Sequence, residues 1–211
     1  MHYFWVMSAR MTFWFEFAST YSYLTVMRIE ALARERCVEV EWKPFLLGPI
    51  FAAQGWTTSP FNLYPAKGAY MWRDIERRAA GYGIPFRPWS GKDGRIFPQN
   101  GLLAARTATA ALRERWGKEF VRRVYSAQFA NGLDISNPKV IGDCIKAAGG
   151  NEQMFLHLGH SNTHKQVLRE NTDAAIATGV FGAPSFTIGP ELFWGDDRLE
   201  DALNWALSRP A

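Results

Sequence analysis

Residues 12–22 read TFWFEFASTYS, a run of β-formers and aromatic rings that ends in small and hydroxylated residues. Thr12 to Phe17 predicts a central strand, since Glu16 is the one charged residue among neighbours suited to burial. The strand stops at Ala18, and Ser19 is placed to cap a helix through TYSYLTVMRIEALARER, where Leu24, Met27, Ala31 and Leu32 return at helical spacing. Val38 to Trp42 alternates as a second strand. Strand, helix and strand within about thirty residues make a βαβ unit, a crossover that is right-handed in nearly all cases.

Downstream, Pro44 to Pro65 (PFLLGPIFAAQGWTTSPFNLYP) carries Pro, Gly, Ser and Asn at short intervals and predicts a long ordered loop. Helical patterns follow: Met71, Ile75 and Ala79 at steps of four, then Leu102 to Trp116, Lys118 to Phe129, Pro138 to Ala148 with Pro in its first turn, and Asn162 to Thr178. Two strands, Ser185 to Ile188 and Glu191 to Trp194, and a helix from Asp196 to Leu207 close the chain. This order predicts an α/β chain with a thioredoxin-like fold and a large all-α helical insertion. The expected division is 12–66 with 180–211 as the thioredoxin-like part and 67–179 as the insertion. Residues 1–11 are read as a leader or upstream start.

Composition narrows the function. The 211 residues are 47% apolar and 21% charged, which excludes collagen, disordered and membrane classes. Aromatic residues reach 15%, and some of the rings are expected to line a pocket. A net charge of +4, spread along the chain, is too weak for a nucleic-acid footprint and better suits a small anionic ligand. Cys37 and Cys144 form neither a CxxC pair nor a metal pattern, which favours a reducing, cytoplasmic setting. His157, His160 and His164 fall near helical spacing, but Gly159 and Ser161-Asn162 are expected to break the helix between them, and no metal site is assigned. The arginines of RRAAGYG and LRERWGKEFVRR read as solvated helix faces.

Three places could carry chemistry. Ser19-Thr20-Tyr21-Ser22 opens the first helix where a thioredoxin fold would place a CxxC pair, so disulfide exchange is impossible there. What remains is either a plain N-cap or a hydroxyl and helix N-terminus that together stabilise an anion such as a thiolate. In VFGAPSFTI, Pro184 precedes a strand, either in an ordinary turn or with a cis bond that would leave the Ala183 backbone facing outward for an extended peptide. Asp196 and Asp197 open the last helix, as capping residues or as receivers of a ligand's ammonium; Lys67 is either a solvated lysine or a partner for a carboxylate.

The segments FEFASTYSYL, YPAKGAYMWRD, FGAPSF and FWGDDRLEDAL, in this order over Thr12 to Leu207, resemble the bacterial 2-hydroxychromene-2-carboxylate isomerase family. That family is kin to the kappa-class glutathione transferases and shares its fold with periplasmic disulfide oxidoreductases. The resemblance implies a dimeric, glutathione-dependent isomerase acting on an aromatic-derived acid. The alternatives are glutathione transfer to an electrophile and a non-catalytic thiol-peptide binder or adaptor. It also implies roles: Ser19 holds the glutathione sulfur, Ala183 before Pro184 pairs with the cysteinyl backbone, Asp196 and Asp197 receive the γ-glutamyl end, and Lys67 approaches the glycyl carboxylate. Phe51, Trp56 and Phe61 would line the substrate. Thr20 replaces the family's proline, and Trp56 falls near a kappa-class asparagine, with Asn62 as the neighbouring substitute.

Overall fold

A computed structural model describes residues 9–208. Four strands, β1 (Ala9–Phe15), β2 (Val38–Pro44), β3 (Ser185–Ile188) and β4 (Glu191–Trp194), form one sheet in the order β2-β1-β3-β4. β1 and β2 run parallel through the crossover helix α1 (Thr20–Glu35), whereas β1–β3 and β3–β4 are antiparallel. Between β2 and β3 lie α2 (Leu47–Ala53), α3 (Pro60–Leu63), α4 (Pro65–Tyr82), α5 (Leu102–Ala111), α6 (Gly117–Tyr125) with a π-helical turn (Ser126–Ala130), α7 (Pro138–Ala148), α8 (Glu152–His160) and α9 (Asn162–Ala177). A 3-10 turn (Asp196–Arg198) leads into α10 (Leu199–Ser208). The architecture is the thioredoxin-like sheet with a helical insertion expected from the element order.

Several boundaries differ. β1 begins at Ala9, so Met11, expected to close a leader, is a buried strand residue paired with Val40; residues 1–8 of that segment lie outside the described residues. The strand ends at Phe15, and a turn at Phe17 and Ala18 leads the chain into α1. α1 buries Tyr23, Leu24, Val26, Ile29 and Ala33, while Ala31 faces solvent. The contributing reason is cover from several sides, by the sheet, α4, α6 and α10, which widens the apolar face. The expected loop after β2 holds two short helices, α2 and α3, each with Pro in its first turns, where a missing N–H costs nothing. α8 runs through Gly159, which is buried against Leu103 and Thr107 of α5, and stops at Ser161.

Much of the aromatic surplus belongs to the core. Phe13 stacks on Phe15 and Phe186, with centroids 5.4 and 5.6 Å away. Phe17 stacks on Tyr125 at 5.1 Å, and Tyr23 on Phe129 at 5.3 Å, so a ladder of rings joins the end of β1 and the start of α1 to the π turn. Rings at 4.5–7 Å add about 0.5–1.5 kcal/mol per pair beyond area burial. The ladder fixes the helical block against the segment from which Ser19 projects.

Candidate active site

Ser19 ends the turn after β1 in an extended conformation and caps α1: its Oγ accepts the Ser22 N–H at 3.1 Å. The same hydroxyl donates to the Ala183 carbonyl at 2.8 Å. The Ala183–Pro184 bond is cis. One carbonyl expected to face outward is therefore occupied by the Ser19 proton. The turn around it is held twice more, by Ser185 Oγ donating to Gly182 O at 2.8 Å and by Gly195 N–H donating to Pro184 O at 3.0 Å. The first-turn N–H groups of α1 point past Ser19 with the positive end of the helix dipole, an arrangement that stabilises an anion.

Behind this turn sits Glu16, which the sequence offered only as a strand residue. Its Oε2 accepts the Ala18 N–H at 2.9 Å; its carbonyl accepts the Ser19 N–H at 3.0 Å and the Tyr125 hydroxyl at 2.7 Å. Burial pushes the carboxyl up from 4.5 to about 7, against the pull of the Ala18 N–H. Glu16 thus shapes the backbone that presents Ser19 while titrating near neutrality.

The two aspartates separate. Asp196 is 1% exposed; its carboxylate accepts from Thr25 Oγ1 at 3.2 Å, Arg28 Nη1 at 3.3 Å and Arg78 Nε at 3.1 Å, with a further bond from Arg78 Nη2. The expected contact of Asp196 with a ligand's ammonium is corrected: two guanidiniums and a hydroxyl surround it, and no face is open. Arg78, read as part of a solvated face, is the inward anchor of α4. Asp197 has a half-exposed carboxylate 3.6 Å from Arg198 Nη2. Gly195, at φ 111°, lets that carboxylate fold back; a Cβ there would come within 2.5 Å of Asp197 Oδ1.

The remaining expected residues lie on α2, α3, the turn between them and the start of α4. Phe61 lies 6.4 Å from the Tyr21 ring, and the Tyr21 hydroxyl donates to Asp74 of α4 at 3.0 Å. Gly68 abuts the Phe61 carbonyl, which sets Lys67, in the first turn of α4, beside this contact; the lysine itself is exposed with Nζ 5.0 Å from the Tyr64 ring. Phe51 and Trp56 pair at 5.6 Å on α2 and its following turn. α2 packs through Ile50 and Leu47 into a small cluster with Trp14, Phe45 and Val180, against which Ala183 also rests. Asn62 Nδ2 donates to Phe97 O at 3.0 Å and Thr58 Oγ1 at 3.3 Å, so its amide braces the α3 region.

Of the histidines, His164 is buried with Nδ1 2.7 Å from Thr109 Oγ1, and His157 and His160 are exposed on α8. Cys37 is exposed and Cys144 buried, both remote in sequence from Ser19.

A thioredoxin fold with a hydroxyl at the helix-start position, facing a cis-proline turn, defines the class. The chain belongs to the DSBA-like thioredoxin domain family, whose model matches residues 10–204. It is 29% identical over 195 residues to the 2-hydroxychromene-2-carboxylate isomerase of Pseudomonas putida, covering 89% of each chain. It is 28% identical over 211 residues to glutathione s-transferase kappa 2 of Caenorhabditis elegans, covering 92% of this chain and 89% of that one. A solved structure of 2-hydroxychromene-2-carboxylate isomerase aligns with a TM-score of 0.78 at 27% identity over 95% of both chains. The relatives so named are isomerases and a transferase. Among the described residues no helix is long and apolar enough to cross a membrane.

Proposed function

We propose that the protein is a glutathione-dependent isomerase of an aromatic-derived carboxylic acid, working as a cytoplasmic homodimer. The observation that carries this reading is the Ser19 hydroxyl at the start of α1, 2.8 Å from the Ala183 carbonyl, where relatives that exchange disulfides would need sulfur. The residues present fit the tripeptide. A hydroxyl and a helix N-terminus suit a sulfur anion, a half-exposed carboxylate at Asp197 suits an ammonium, and exposed Lys67 suits a carboxylate.

When bound, glutathione supplies a thiolate nucleophile that can add to and leave a conjugated carbon, freeing rotation about the bond between. The chain's part is to make and hold that anion. Ser19 Oγ would turn its proton from the Ala183 carbonyl to the sulfur while still accepting from Ser22 N–H, so the cap survives the switch. Ala183, released, offers its carbonyl to the ligand backbone. Asp197 would fix the γ-glutamyl end, and Asp196 would act from below by pinning the 3-10 turn to α1 and α4. Phe61, beside Tyr21, would line the substrate together with the Phe51–Trp56 pair.

Glutathione transfer to an electrophile uses the same anion, and similarity to a kappa-class transferase supports it as the second reading. Incubating the protein with glutathione and either hydroxychromene carboxylates or chloronitrobenzenes tests both. Isomerised acid without loss of glutathione supports the first, a stable conjugate the second, and binding without turnover contradicts both.

A further inference from the structure

Two large rings stand in water beside the cis-proline turn. Phe181 is 47% exposed and Trp194 is 52% exposed, and they lie 4.9 Å apart at 56° to each other. Neither is placed at random. Trp194 is the last residue of β4, opposite Ser185 in the β3 register, and its indole lies across Gly182, where any Cβ would overlap Nε1. Phe181 is next to that glycine, and Gly195 N–H, one residue beyond the tryptophan, donates to Pro184 O at 3.0 Å. Both rings are therefore fixed to the same turn whose Ala183 carbonyl takes the Ser19 proton.

A contiguous exposed apolar patch, unlike a single exposed ring, marks a place where a ligand or partner binds. The pair forms an angled corner: a planar ring can stack on one member and meet the edge of the other, the geometry that aromatic groups prefer. Among the described residues no Lys or Arg head, the other common partner of a ring face, lies over either ring of this pair, whereas Trp14 carries Lys43 at 5.4 Å and Trp89 carries Arg95 at 5.2 Å. We infer that Phe181 and Trp194 are the specificity-determining wall for the second substrate, receiving the planar aromatic ring that reacts at the sulfur held by Ser19. This rests on the proposed glutathione-dependent reading and assigns its substrate subsite to the cis-proline turn, against which α2 also packs.

The test is calorimetric titration of the full chain with glutathione and with S-(p-nitrobenzyl)glutathione, for wild type, Phe181→Ala, Trp194→Ala and Trp194→Phe. Wild type is expected to bind the aryl conjugate about tenfold more tightly than glutathione, the value of one good ring contact plus its burial. Both alanine variants should lose that preference with glutathione affinity unchanged, which also shows that they are folded, and Trp194→Phe should keep most of it. A preference that persists in both alanine variants, or equal weakening of both ligands, overturns the assignment. So does an alanine variant whose only change is a shift from dimer to monomer. A wild type that binds glutathione with no aryl preference removes the subsite alone; one that binds neither ligand removes the glutathione reading as well.

Discussion

Ser19 Oγ and the Ala183 carbonyl, 164 residues apart in sequence, are joined by a 2.8 Å hydrogen bond that closes the start of α1 onto the cis-proline turn. A hydroxyl has one proton, so the bond must be given up for Ser19 to donate to a ligand. It marks the position a sulfur anion would take.

The bond and the cap together predict a stability effect. Ser19→Ala removes the acceptor for Ser22 N–H and the donor to Ala183, and unfolding stability should fall by about 1–2 kcal/mol. Urea titration of the two proteins checks it; an unchanged midpoint would mean that the cap is replaced by solvent.

The aspartates should behave in opposite ways. Asp197→Ala should weaken glutathione binding by about 1.5–3 kcal/mol, the worth of a charged hydrogen bond, with the fold intact. Asp196→Ala leaves Arg28 and Arg78 beside an empty buried site and should destabilise the fold by about 3–5 kcal/mol. Calorimetry and thermal denaturation separate the two; the reverse pattern would exchange their roles.

That split shows where the sequence stops being informative. The strands β3 and β4 and helix α7 were legible to the residue, since alternation, Pro at the first turn and Gly at the end are local signals. Ser19 and Pro184 were legible because both sit at element boundaries. Which of two adjacent aspartates is buried is decided by Arg28 and Arg78, more than a hundred residues away, and no local pattern carries that. The same holds for Glu16, whose desolvation comes from helices packed on it later in the chain, and for Trp194, whose position depends on Gly182. Phe181 and Trp194 lie inside FGAPSF and FWGDDRLEDAL, and their spacing from Pro184 is the available signal.

Glu16 gives a pH dependence. Its carboxyl titrates at about 7 in the folded chain against an ordinary 4.5, so between these values the folded state keeps a proton that the unfolded chain has lost. Stability is full below the lower value, declines as pH rises toward the upper one by roughly 3 kcal/mol, and levels off above it. Denaturation midpoints between about pH 5 and pH 8 should show this slope in wild type and a flatter one in Glu16→Gln. Identical slopes would place the carboxyl in contact with water.

Thiol chemistry should be confined to the cofactor. The protein should not accelerate insulin reduction above the glutathione background, because neither cysteine occupies the helix start. Burial pushes the Cys144 thiol up to about 11, so only exposed Cys37 should take up maleimide in the native state. Ser19→Cys should gain what wild type lacks: its thiolate, favoured by the helix N-terminus, would displace one glutathione from oxidised glutathione and remain as a mixed disulfide, visible by mass spectrometry.

Whether Ser19 donates to the sulfur is read from the ultraviolet absorbance of the thiolate of bound glutathione against pH, in wild type, Ser19→Ala and Ser22→Ala. If Ser19 donates to the sulfur, its loss should raise the titration midpoint by about one pH unit or more, the worth of a charge-assisted hydrogen bond, with glutathione affinity at a pH where the thiol is protonated little changed. Ser22→Ala, whose hydroxyl is buried one turn further along α1, should titrate like wild type. Equal midpoints for wild type and Ser19→Ala would reduce Ser19 to a helix cap and contradict the account.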